Sequence, residues 1–206
     1  MKFSTSRAED GGQVADGAIA FATEQLCRLD VTHYLSDASG AVGGYSGISF
    51  ANTQFLGDQI LGGNMEISTL TPQSVLASKS TLQFSSDGLP VSMNTDAYDT
   101  NGTDVKVTIL TNYQSAVFDP RKRIWSGQVT ATTRDAQQRI RSHAVVTYAN
   151  GSPASAINQT YDQSGQLAGW VETDFAGARF NNRNHVVNSA ITVKSYRAGG
   201  SLLSSG

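Results

Sequence analysis

RIRSHAVVTYANGSPASAINQTYDQSGQLAGWVETDF, residues 139–175, decides the fold class. Two groups of turn residues, Ala149-Asn150-Gly151-Ser152-Pro153 and Asp162-Gln163-Ser164-Gly165-Gln166, divide it into strand-length pieces. Asn-Gly is the strongest short hairpin signal, because both central residues of a type I′ turn take positive φ. Within the pieces, side chains alternate. Ile140, Ala144, Val146 and Tyr148, with Ser142 among them, point one way, and Arg139, Arg141 and His143 the other. Leu167, Gly169, Val171 and Phe175 oppose Trp170, Glu172 and Asp174. The stretch reads as an antiparallel meander with one apolar and one polar face.

The same grammar extends back to residue 80. Turn signals recur at Ser86-Asp87-Gly88, Thr100-Asn101-Gly102, Asp119-Pro120, Arg134-Asp135-Ala136 and Ala176-Gly177. They leave strands of roughly 8 to 12 residues, longer than the usual mode of about 5–6. In 104–111, Val105, Val107 and Ile109 oppose Asp104, Lys106 and Thr108. With no helical segment between the turns, consecutive strands should pair as neighbours, up and down. An open run of that kind exposes two edges, which closure removes. The expected fold is mainly β: a long-stranded antiparallel up-and-down meander forming a barrel or half-barrel, with one N-terminal α-helix packed against it.

That helix is expected over residues 13–30. Val14, Ala18, Phe21, Ala22, Leu26 and Leu29 recur at helical spacing, with Asp16, Glu24 and Arg28 elsewhere around the wheel. Residues 36–47 are small and glycine-rich and read as a mobile loop. Strands are expected at about 48–56 and 64–70. Thr71-Pro72 suits the cap of a one-turn helix over 72–78, with a strand as the alternative. A last long strand covers about 185–196, and a disordered tail about 197–206.

The 206 residues suit a single domain, residues 1–206. Hydrophobic residues, 39%, suffice for a core, but no apolar run approaches the length of a membrane helix. The N-terminus, MKFSTSRAEDGG, lacks the apolar region of a Sec signal peptide. Expected locations are therefore the cytoplasm or, by a signal-less route, the exterior. A net charge of −2 gives no long-range attraction to nucleic acid. Lysine is confined to Lys2, Lys79, Lys106, Lys122 and Lys194, and hydroxyls and amides take its place, as is common in surface and virion proteins. Cys27 is the only cysteine, so no internal disulfide can form, and it reads as a small core residue.

Tyr98-Asp99-Thr100-Asn101-Gly102 and Tyr161-Asp162-Gln163-Ser164-Gly165 resemble the YD repeats of bacterial Rhs-type shell proteins, in which a strand ends in Tyr-Asp and turns at Gly. Strand-turn chemistry alone yields the same pattern: Asp bonds the turn backbone and Gly supplies positive φ. In outline the meander is also similar to lipocalin-type barrels, an analogy of architecture.

Candidate chemistry is sparse. Asp96, Asp99, Asn101 and Asp104 surround an Asn-Gly turn, but Ala97 stands where a calcium loop needs an oxygen and no closing Glu follows. Gly43-Gly44-Tyr45-Ser46-Gly47 misses the nucleophile-elbow pattern at Ile48. His33, His143 and His185 lack metal-ligand spacing. No metal and no cofactor are expected. The densest group of titratable and aromatic side chains is Arg141, His143, Tyr161, Trp170, Glu172 and Asp174, on one alternation face. Counting back from the 149–153 turn places Gln159 and Tyr161 across from His143. If that face lines an interior, these residues form a polar pocket for a small ligand. If it faces outward, they form a solvated surface.

The function expected is a non-catalytic binding module that presents a barrel cavity or sheet face to a small molecule or protein partner. Two alternatives stand beside it: a structural or interaction subunit of a virion, surface assembly or exported bacterial factor, and a small barrel enzyme using His143 with Glu172 or Asp174 as an acid–base pair.

Overall fold

The computed structural model describes residues 2–6, 13–22, 25–34, 41–181, 186–188 and 190–206; for 3–6, 13–14, 22, 25 and 188 only the backbone is described. The chain divides into two compact units, Met1–Val107 and Thr108–Gly206. In chain order the first holds β1 (Lys2–Ser6), β2 (Gln13–Ala22), β3 (Gln25–Tyr34), β4 (Val42–Ser49), β5 (Thr53–Leu56), β6 (Gln59–Leu70), β7 (Leu76–Phe84) and β8 (Pro90–Tyr98). Strand β9 (Val105–Asn112) spans the division. The second unit holds β10 (Ala116–Phe118), β11 (Ile124–Asp135), β12 (Ile140–Ala149), β13 (Ser152–Tyr161), β14 (Leu167–Asp174), β15 (Arg179–Phe180), β16 (Val186–Asn188), β17 (Thr192–Arg197) and β18 (Leu202–Ser205).

The meander is present in both units. In the first, β1-β2-β3-β4-β6-β7-β8 follow one another as antiparallel neighbours, with β5 alongside β6. In the second, β11-β12-β13-β14-β17-β18 do the same, with β10 on β11 and β15–β16 as a separate ribbon. Among the described residues, no pairing closes either run on itself, so the closed form of the expected barrel is absent.

A recurring turn explains the regularity. At Asp119, Asp135 and Asp162 the carboxylate Oδ1 accepts the backbone N–H two and four residues ahead. These distances are 2.9 and 2.9 Å for Arg121 and Arg123, 3.0 and 3.0 Å for Gln137 and Arg139, and 2.8 and 3.0 Å for Ser164 and Gln166. The residue three ahead donates to the Asp carbonyl and takes positive φ: Lys122 at 59°, Gln138 at 63° and Gly165 at 84°. Ser85 and Thr71 start the same turn with a hydroxyl, accepting from Leu89 and Val75 at 3.2 Å each. Asp99 starts a variant one residue longer, closed by Asp99 N–H donating to Asp104 O at 2.9 Å.

Several expectations are corrected. Residues 13–22 and 25–34 are strands, and the described residues contain no helix. The helical spacing there rests in part on alanines that fit either period, whereas Arg28-Leu29-Asp30-Val31-Thr32 alternates polar and apolar. Residues 23 and 24 of the expected helix lie outside the described residues. Within the expected 36–47 loop, residues 42–47 belong to β4; residues 36–40 are not described. Thr71-Pro72 opens a turn and β7 instead of a one-turn helix, proline's fixed φ suiting the second position of such a turn. Residues 198–206, expected to be disordered, contain a turn and β18, paired with β17. His185 lies outside the described residues. No described helix is long and apolar enough to cross a membrane.

Among the described residues no hydrophobic, polar or charged side chain is buried. The buried positions are the glycines Gly44, Gly62, Gly88 and Gly169. A strand in a single layer has neighbours on two sides and none above or below, so its side chains stop at half-burial.

Candidate functional site

The second unit carries the polar face foreseen from alternation. Cross-strand partners share a face, and the register aligns Thr132, His143, Gln159, Trp170 and Tyr196 in one row over β11–β12–β13–β14–β17. Arg141 and Tyr161 lie two residues along from His143 and Gln159, and Glu172 and Asp174 lie two and four along from Trp170, all on this face. Gln159 is indeed opposite His143, while a register shift sets Tyr161 opposite Leu167. The Tyr161 hydroxyl bonds Gln159 Oε1 at 3.2 Å.

Local contacts fix most of these groups. Trp170 stacks on Tyr196, ring centroids 4.9 Å apart and 14° between planes. That distance is the spacing of neighbouring strands, about 4.8 Å, so the rings stand up from the sheet like adjacent slats. Glu172 Oε1 accepts from Trp170 Nε1 at 3.0 Å, and the Glu172 carboxylate also accepts from the Tyr196 hydroxyl. Partial burial and the Glu172 carboxylate push the Tyr196 phenol above its ordinary value. His143 Nδ1 pairs with Thr132 Oγ1 at 3.0 Å. Arg141 reaches the other way, to Asp135 Oδ2 at 2.9 Å and the Asp162 carbonyl at 2.7 Å, tying two turns together.

The geometry does not bring His143 against a carboxylate. Glu172 lies two strands and two residues away, which at about 4.8 Å per strand and 3.4 Å per residue separates the Cα atoms by roughly 12 Å. The other polar clusters are structural. Asp99 accepts backbone N–H groups from Asn101, Thr103 and Asp104 at 3.2, 3.0 and 3.4 Å. Among the described residues no His/Cys/Asp/Glu group could hold a metal ion. Arg123 of the basic Arg121–Arg123 run pairs with Asp119 at 2.7 Å. His33 bonds Ser46 Oγ at 2.8 Å from within β3, and Cys27 is half-buried in the same strand.

A concavity lies elsewhere, on one face of the first unit, with a volume of about 850 Å³. Three rows build it: Ala18–Asp30–Gly47–Ser68, Asp16–Thr32–Tyr45–Leu70 and Arg28–Ser49–Glu66. Arg28 Nε donates to both Asp30 oxygens at 2.8 Å, and Lys79 Nζ meets Glu66 Oε2 at 3.2 Å. The Asp30 partnership raises the Arg28 guanidinium pKa, so it stays charged. Asp16 accepts from the Tyr34 hydroxyl at 3.3 Å; partial burial and this carboxylate raise the tyrosine's pKa. The sequence reading missed this site. Its residues are scattered from Lys2 to Leu70 and converge only through strand pairing. The available signal was the polar alternation at Arg28, Asp30 and Thr32 and at Glu66 and Ser68.

No family model matches the sequence, and no curated protein matches it.

Proposed function

We propose that the chain is a non-catalytic binding module presenting one sheet face to a small molecule, held in the concavity of the first unit. The observation that carries this reading is the concavity itself: about 850 Å³ lined by charged, hydroxyl and apolar groups from β1, β2, β3, β4 and β6. That volume lies within the range of ordinary ligand sites, about 300–1,000 Å³. The separation of His143 from Glu172 and Asp174 favours binding over acid–base chemistry. Thermal melts of the full chain against amino acids, nucleotides and soluble sugars test the reading. A compound at 100 times its Kd should stabilise the folded state by about 2.7 kcal/mol.

A second reading, a structural or interaction subunit, is favoured by one observation: the described side chains of either unit include none that is buried. The second unit's other face carries a row of small, mostly apolar residues, Val129, Val146 and Ala156 in succession and then Thr173 and Val193. A sheet of this kind ordinarily packs against a second layer. A stable oligomer in light scattering, with no compound shifting the melt, would favour this second reading.

A further inference from the structure

We infer that the concavity of the first unit takes a neutral polyhydroxylated ligand, a short oligosaccharide. This rests on the binding-module reading and names the chemistry of its site. Most of the charges there are compensated in place. Arg28 is paired with Asp30 and Glu66 with Lys79, while Asp16 keeps its charge and accepts from the neutral Tyr34 hydroxyl, with Lys2 as the other lining cation. A strongly anionic ligand would meet Asp16, Asp30 and Glu66, and a strongly cationic one would meet Lys2 and Arg28.

The polar groups that remain suit hydroxyls. Carboxylate oxygens accept from O–H, the Arg28 guanidinium has N–H donors beyond the one used on Asp30, and Thr32, Ser49 and Ser68 donate or accept. A sugar hydroxyl is itself donor and acceptor, so it matches a mixed set where a single-sign ligand does not. The apolar element is equally specific. Tyr45 and Leu70 are cross-strand partners on this face and offer a carbon surface to the C–H face of a pyranose ring. Between Asp30 and Ser68 the floor is Gly47, where the absence of a side chain opens the middle of the row.

Gly47 supplies the test. A Cβ there would meet only side-chain ends, Asp30 Oδ1 at 3.2 Å and Arg28 Nη2 at 3.4 Å. Valine is at home in a strand, so Gly47→Val should fold and fill the floor. The ¹⁵N-labelled full chain is titrated with cellotriose, maltotriose, citrate and spermidine while backbone amide shifts are followed. One neutral trisaccharide should perturb amides of β2, β3, β4 and β6 with a Kd near or below 1 mM, corresponding to about −4 kcal/mol. Gly47→Val should weaken that binding at least tenfold. Asp30→Asn, which keeps the side chain's shape, should weaken it as well and serves if Gly47→Val does not fold. If citrate or spermidine perturbs these amides in a Gly47-dependent way and neither sugar does, the sugar class is wrong and the binding site stands. If no probe perturbs them, both the class and the site fail. Sugar binding indifferent to both variants places the ligand elsewhere and overturns the inference.

Discussion

The turn aspartates show how much one residue type determines here. At Asp162 the Ser164 hydroxyl and the Gln166 N–H favour the ionised carboxylate, and at Asp119 the Arg123 N–H and then its guanidinium do so; both pKa values are lowered. A carboxyl lower in the folded chain than in the unfolded one stabilises only while ionised. Its contribution is complete above about pH 4, the unfolded Asp value being roughly 3.9, and is lost as pH falls through the lowered folded values. Urea midpoints should therefore be level from pH 7 to 5 and decline below pH 4. The Asp119→Asn/Asp162→Asn double variant should decline less; an unchanged pH profile would refute the assignment. The same turns predict a gain. Gln138 sits at 63° in the position that glycine fills at 84° in the Gly165 turn, and a non-glycine residue in that region costs about 1 kcal/mol or more. Gln138→Gly should stabilise the chain by up to about 1 kcal/mol by urea denaturation. The Asp and Gly of these turns were legible in the sequence. Gln138 and Lys122 were not, because their left-handed conformation is imposed by the Asp three residues before.

Among the elements, the strands of 139–175 were legible because long alternating segments sit between strong turn signals, and observed β12 and β14 lie within a residue of the segments those turns leave. The N-terminal hairpin was not, since Ala18 and Ala22 fit a helical spacing as readily as a strand's and strand pairing overrides their helix preference. Also hidden was a device used twice. Short β5 runs along the first part of β6, and short β10 along the first part of β11. Each ends at a positive-φ glycine, Gly63 or Gly127, where a Cβ would come 2.1 Å from the backbone oxygen of Asn52 or Ser115. Gly169 is different: a Cβ there would lie 2.4 Å from the Tyr196 carbonyl oxygen, the backbone of its neighbour strand. Gly169→Val should separate β14 from β17, cost on the order of 1–3 kcal/mol and abolish the near-ultraviolet circular dichroism of the Trp170–Tyr196 stack. Retention of that signal would show that the β14–β17 ribbon tolerates the side chain.

For the molecule as a whole, alternation could place Arg141, His143, Trp170, Glu172 and Asp174 on one face, but it could not tell whether that face was enclosed. Enclosure depends on whether strands far apart in sequence meet, and loop-closing contacts leave no periodic trace in the residues. The same limit concealed the first-unit concavity, which requires Asp16, Asp30, Gly47 and Glu66 to arrive from β2, β3, β4 and β6 together. The two candidate faces lie in different units, so hydrogen exchange can assign a ligand to one of them. Backbone amides of a half-exposed layer exchange by local opening, and a bound ligand slows the openings it bridges. With saturating cellotriose or maltotriose, whichever binds, exchange should slow in β2, β3, β4 and β6 and stay unchanged in β12, β13 and β14. Protection centred on β12–β14 would instead make the His143–Gln159–Trp170 row the binding face. It would also leave the first-unit concavity without a ligand.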